Sequence, residues 1–160
     1  MDLAKDVELI RECLQPVARR ATSLPWAKKQ PWRPETHVWV EGHWPVVNLH
    51  DLSVRLGVAV VDALAATQHD FEVGGVLIIV GRGSHTAGHS KLRDAVLHRA
   101  GELARENGWR LLPGNTGRVR FIWNPANAPG KAVGRVSRLV WIMVGLYLAA
   151  MVYLLVSWIW

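Results

Sequence analysis

Leu77 to Val96 reads LIIVGRGSHTAGHSKLRDAV. An apolar run of strand type stops at Gly81 and Gly83, a polar loop with His85 and His89 follows, and Ser90 then stands where a helix N-cap belongs. Leu92, Val96 and Leu103 recur on one helical face until Asn107 and Gly108 end it. Working backwards, Gly74 and Gly75 break the chain before the strand expected over Val76 to Val80. Earlier still, Ser53 caps a helix through Val54, Val58, Val61 and Leu64 to about His69, and Val46 to Leu49 makes a short apolar strand. Forwards, strands near Arg110 to Leu112 and Val119 to Trp123 flank PGNTG, a turn sequence. The order strand, helix, strand, helix, strand, strand demands a right-handed crossover between parallel strands. The expected fold is a small two-layer α/β sandwich with a mixed four-stranded sheet.

Two further segments precede this unit. Residues 1–24 place Leu3, Val7, Leu9, Ile10, Leu14 and Val17 close to helical spacing, which predicts a short amphipathic helix that Pro16 ends or kinks. Such a helix suits a docking element. Residues 25–45 form an arm in which Pro25, Pro31, Pro34 and Pro45 oppose regular structure over most of the segment. Trp26, Trp32, Trp39 and Trp44 lie in it, interleaved with Lys28, Lys29 and Arg33. These rings either pack along the domain, stack on bases, or rest in a headgroup layer.

At the other end, residues 139–160 read LVWIMVGLYLAAMVYLLVSWIW, without a charge or a proline. A helix of that length spans roughly 33 Å at about 1.5 Å per residue, enough for a hydrocarbon core of about 30 Å. Trp141 at one end and Trp158 and Trp160 at the other stand where interfacial rings collect. Residues 125–138 form a basic linker whose Lys131, Arg135 and Arg138 lie just before the span, so the preceding domain is expected on the cytoplasmic side of the cell (inner) membrane. The N-terminus lacks the apolar core of a signal peptide. The expectation is a single-pass, tail-anchored protein in contact with lipid through this helix, its C-terminus at the far face.

The chain of 160 residues carries a formal charge of +6, and all of that excess falls between Trp109 and Arg138, which holds six basic residues and no acidic one. A block of this kind suits an anionic partner, either a nucleic-acid backbone or lipid headgroups. Cys13 is the single cysteine, which excludes an internal disulfide and argues against a cysteine zinc site.

Ligands of open α/β sheets tend to bind beyond the carboxyl ends of the strands. Here those ends run into NLHD, Asn48 to Asp51, and into the quoted loop. A dinucleotide fingerprint fails, because after Gly81 and Gly83 the next glycine is Gly88. Gly83 to Ser90 approximates a phosphate-binding P-loop but puts His89 where its lysine belongs. His85 and His89 are four apart, yet glycine-bearing loop sequence surrounds them and no metal site is expected. No cofactor is implied, and dependence on a divalent metal stays open. What remains is an anion loop: Gly81 and Gly83 let backbone amides approach, Arg82 reaches a phosphate, and the helix starting at Ser90 adds partial positive charge. The expected phosphate contacts are Gly81, Arg82, Gly83, Ser84, Ser90, Lys91 and Arg93, with Arg118 and Arg120 on the last strand.

Taken together, NLHDLSV at Asn48 to Val54 and IIVGRGSHTAGHSKLRDAV at Ile78 to Val96 resemble the Smr (small MutS-related) domain. That family typically shows L-D-x-H-G at a strand end, then a strand ending H-G-x-G, a loop often containing H-S, and L-R opening the second helix. The likeness covers residues 46–124, about half the chain, with a late glycine turn at Gly114 to Gly117. Many Smr domains bind or cut DNA or RNA, some in connection with ribosomes, so the resemblance implies a nucleic-acid partner. Carried over by position, His50 matches the first histidine, Gly81 and Gly83 the paired glycines, and Arg82 the position between them. Asn48 stands where the family has aspartate, Asp51 where it has glycine, and Val80 where it has the second histidine.

Phosphodiester cleavage needs a base, an acid and positive charge for the developing anion. If the chain is an endonuclease, His50 serves as base or acid, His85 as its partner and Arg82 as the stabiliser. Asn48 and Val80 cannot carry a proton there. Two expectations follow: a membrane-tethered Smr-like domain that binds RNA, ribosomes or DNA, or an inactive Smr-like accessory subunit of a larger membrane protein complex.

Overall fold

A computed structural model of the chain describes residues 2–23, 31–81, 90–114 and 117–128. Its centre is a parallel pair, Trp44–Asn48 (β2) and Gly75–Ile79 (β3), in which Val46, Val47 and Asn48 lie beside Leu77, Ile78 and Ile79. Between them runs the helix Val54–Thr67 (α3), capped by the Ser53 hydroxyl, which accepts the Leu56 N–H, and followed by a 3-10 turn at Gln68–Asp70. The helix Lys91–Asn107 (α4) starts on Ser90, which accepts the Arg93 N–H, and stops at Gly108, whose φ of +69° ends it in the left-handed region. Arg110–Pro113 (β4) and Arg118–Ile122 (β5) complete that half, with β5 antiparallel to both β3 and β4. The mixed α/β sheet and both caps agree with the sequence.

The sheet has five strands rather than four, in the order β1-β2-β3-β5-β4. The extra strand, Val38–Glu41 (β1), comes from the proline-rich arm and pairs antiparallel with β2. Two of the arm's prolines sit where they do no harm. Pro34 opens the short helix Pro34–His37 (α2), where a missing N–H is costless, and Pro45 precedes the first β2–β3 pair, Val46 with Leu77. The two-residue turn between β1 and β2 begins at Gly42, whose φ is +63°, as a type II′ hairpin requires.

The N-terminal helix Leu3–Thr22 (α1) is part of this fold and not an appended docking element. It continues through Pro16 to Thr22, because Ile10, Leu14, Val17 and Ala18 are buried on the domain core and each large side chain contributes about 1.5–3 kcal/mol. Asp6 fixes it at one end: its fully buried carboxylate accepts the backbone N–H of Glu72 at 2.9 Å and of Val73 at 2.8 Å. Arg11 fixes it to the arm by donating to the Val38 carbonyl at 2.8 Å. These elements belong to one unit, Met1–Pro129.

The helices α1, α3 and α4 share one face of the sheet, packing on Val38, Val47, Val76, Ile78, Val119 and Phe121. Gly57 lets α3 and α4 approach, since a Cβ there would collide with the Leu92 side chain. The alternate residues form the other face, which carries no helix among the described residues. It is covered by its own long side chains. Arg118 on β5 reaches across β3 and β2 to an ion pair with Glu41 on β1, and the Arg120 guanidinium lies 5.6 Å from the centre of the Trp44 ring. Beneath these contacts Val46 is 0% and Leu77 8% exposed.

None of the described helices is long and apolar enough to cross a membrane. The apolar span of residues 139–160, with Trp141, Trp158 and Trp160, lies outside the described residues, as do Trp26 and most of the basic linker.

Candidate functional site

Because β2 and β3 are parallel neighbours in register, their carboxyl ends open on one edge of the sheet. At the end of β2 the chain turns sharply. The Asn48 side-chain carbonyl accepts the His50 backbone N–H at 3.0 Å, the Leu49 N–H donates to the Ile79 carbonyl at 2.8 Å, and the Leu52 N–H closes on the Leu49 carbonyl at 3.1 Å. This Asx turn carries Asp51 at φ +73°, the one described non-glycine residue with positive φ. Aspartate is among the residue types that tolerate this left-handed backbone. Beneath the turn, Trp32 is buried and its indole N–H donates to the Asn48 carbonyl at 2.7 Å.

The end of β3 is held as closely. The Val80 N–H donates to the Gly117 carbonyl at 2.8 Å, which ties the third loop of the edge, the turn before β5, to the start of the quoted loop. Gly81 has φ +77° and Gly117 has φ +70°, so both positions call for glycine on backbone grounds. The N-termini of α3 and α4, side by side at Gly57 and Leu92, follow these strand ends and direct free N–H groups to the same edge.

His50 projects from this edge with 71% of its side chain exposed, its Nε2 3.7 Å from an Asp51 carboxylate oxygen. That spacing is long for a hydrogen bond. Val80 is 3% exposed and packs in the core cluster. Asn48 is likewise engaged, its carbonyl oxygen committed to the turn.

Of the residues expected from sequence, the structure brings His50, Gly81 and Ser90 to this edge, with Lys91 exposed and Arg93 half-buried on the first turn of α4. Arg82, Gly83, Ser84, His85 and His89 lie outside the described residues. Arg118 and Arg120 lie on β5 and stand on the face without a described helix, engaged with Glu41 and Trp44. The sequence signal for that face was the alternation R-V-R-F-I, in which Val119 and Phe121 go to the core and the arginines to the other side. Trp32 packs on the domain, one of the alternatives open for the arm's indoles, and its hydrogen bond to the Asn48 backbone carbonyl is the non-local detail that the arm's sequence does not specify.

Cys13 is half-buried on α1 and burial pushes its thiol up, an effect the Thr67 hydroxyl partly opposes. A thiol kept protonated in this way is a poor nucleophile. Among the described residues no group of three or more His, Cys, Asp or Glu gathers in a metal-binding arrangement. Comparison of the chain with protein-family models, with curated proteins and with solved structures gives no match.

Proposed function

We propose that this chain is a membrane-anchored, Smr-like domain that binds nucleic acid at the carboxyl edge of its parallel strand pair. One observation carries the reading: the register of Asn48 with Ile79 brings the Asn48–Asp51 turn and Gly81, where the second motif's loop begins, to one edge of the sheet. Exposed His50, the helix N-termini at Ser53 and Ser90, and the positive φ of Gly81 supply what a phosphodiester backbone needs there: hydrogen-bond donors and close backbone approach. RNA, ribosomal RNA and DNA all present that backbone. The apolar span with Trp141, Trp158 and Trp160, preceded by Lys131, Arg135 and Arg138, supports anchoring with the domain on the cytoplasmic side.

Binding without cleavage is the form of this function that the geometry favours. Val80 is buried in the core and Asn48 spends its side-chain oxygen on the turn, so neither assists His50 in moving a proton. The same two residues favour the second reading, an inactive Smr-like accessory subunit of a larger membrane complex.

Incubation of the full-length protein, in mild detergent, with labelled RNA and DNA at low ionic strength tests the proposal. Retarded but intact nucleic acid is expected. Cleavage that disappears in His50→Ala would establish an endonuclease. Absence of binding, together with copurification of stoichiometric membrane proteins, would establish the accessory role.

A further inference from the structure

We infer that the helix-free face of the sheet is a platform for single-stranded nucleic acid, continuous with the carboxyl edge and reading bases through Trp39 and Trp44. The inference rests on the nucleic-acid reading above and narrows it to unpaired strands. Strand register places Trp39 beside Val46 and Leu77, then Arg120 and Leu112, in one row across the five strands. A second row holds Glu41, Trp44, Ile122 and Arg110, and Arg118 stands beside Ile79 at the edge where the candidate loop begins. Three arginines and two indoles therefore face the same way, against one carboxylate, Glu41.

Other occupants fit this face less well. A lipid surface is bound by inserting exposed aliphatic side chains, yet Val46, Leu77 and Ile122 are each buried, and Leu112 alone in these rows is an exposed large aliphatic. A phosphate backbone is the complementary charge. Trp39 and Trp44 are each part-exposed, and with the Arg120 guanidinium 5.6 Å from the Trp44 ring centre they offer flat indole and guanidinium surfaces on which a base can lie. Bases inside a duplex offer no free face to such a platform. An unpaired strand does, with its phosphates on Arg110, Arg120 and, once released from Glu41, Arg118.

Fluorescence anisotropy with full-length protein in mild detergent, using labelled oligo(U), oligo(dT) and a duplex of equal length, tests this. Single strands are expected to bind about tenfold or more tightly than duplex. Trp44→Ala is expected to weaken them by a similar factor, with Trp44→Phe largely retaining affinity, since one base–aromatic stack is worth about 1–3 kcal/mol. Arg110→Ala, at an exposed position on the outer strand, and Arg120→Ala should each reduce the slope of log affinity against log salt by about 0.7. Thermal melts of each variant separate lost contacts from lost fold. Equal affinity for duplex, or unchanged binding in the folded Arg110→Ala and Trp44→Ala variants, overturns the platform. If Arg82→Ala abolishes binding while these variants do not, the loop reading stands and the platform falls. If the sheet variants abolish it and Arg82→Ala and His50→Ala do not, the platform stands and the loop reading falls. Quenching of emission by brominated lipid that is lost in Trp44→Phe would reassign the face to a headgroup contact.

Discussion

The Asn48 side-chain oxygen lies 3.0 Å from the His50 backbone nitrogen, and this one bond sets the direction in which the histidine leaves the sheet. Aspartate accepts the same N–H equally well. Asn48→Asp is therefore expected to keep the turn and to leave the melting temperature close to that of the parent. Asn48→Ala removes the acceptor and should cost about 0.5–1.5 kcal/mol, read by chemical denaturation. A large loss in Asn48→Asp would show that the amide N–H₂, and not the carbonyl, does the work.

Asp6 is the stronger structural anchor. Two backbone N–H groups, of Glu72 and Val73, have their acceptor in its buried carboxylate. Asp6→Ala is expected to destabilise by about 2–4 kcal/mol, since each unsatisfied buried donor costs about 1–3 kcal/mol, while Asp6→Asn retains one acceptor and should lose less. Urea denaturation of the two variants checks the order.

Glycines at two positions should fail for different reasons. At Gly81 a Cβ meets nothing within 4 Å, so Gly81→Ala costs only the left-handed backbone, about 1–2 kcal/mol. At Gly74 a Cβ would run into the Asn124 carbonyl and the backbone of Asn127 and Ala128, so Gly74→Ala must move a whole segment and should cost more. Comparison of their denaturation midpoints checks this.

Acid sensitivity has an identified contributor. The Asp2 backbone N–H and the Lys5 ammonium hold the Glu72 carboxyl below its ordinary range, and Glu35 is held down by its own backbone N–H and by Gln15. A carboxylate with a depressed folded pKa contributes stability above its unfolded pKa, about 4.3, and loses it as pH falls through the lower folded value. Melting temperature should thus decline below about pH 4.5, and Glu72→Gln should flatten that decline slightly, because the pair is exposed. An unchanged acid limb in the variant would remove Glu72 as a contributor.

The regular half of the fold was legible because its signals are local. Ser53 and Ser90 announce helix starts, Gly108 a helix end, and V-L-I-I and V-R-F-I a buried strand and a half-buried one. The arm hid β1 because its prolines are counted against a strand by sequence, while the register puts Pro45 outside the β2–β3 ladder and Pro34 at a helix start. Pro16 misled in the same way: its lost hydrogen bond is outweighed by the buried stripe of α1, which only the tertiary fold reveals. At the candidate site, His50 and Gly81 follow from the strand ends. The distribution of Arg118 and Arg120 to the open face follows from strand alternation, and the Glu41 and Trp44 partners they find there come from non-local pairing.

The central claim is that nucleic acid binds along the carboxyl edge at which His50 and Gly81 meet. A salt titration of affinity for labelled RNA, with full-length protein and with Arg82→Ala, tests it most directly. The account expects affinity to fall steeply as salt rises, and expects Arg82→Ala to bind more weakly with a shallower slope, by about 0.7 for the one lost phosphate contact. Absence of binding at low ionic strength, or a slope that Arg82→Ala and His50→Ala leave unchanged, would contradict it.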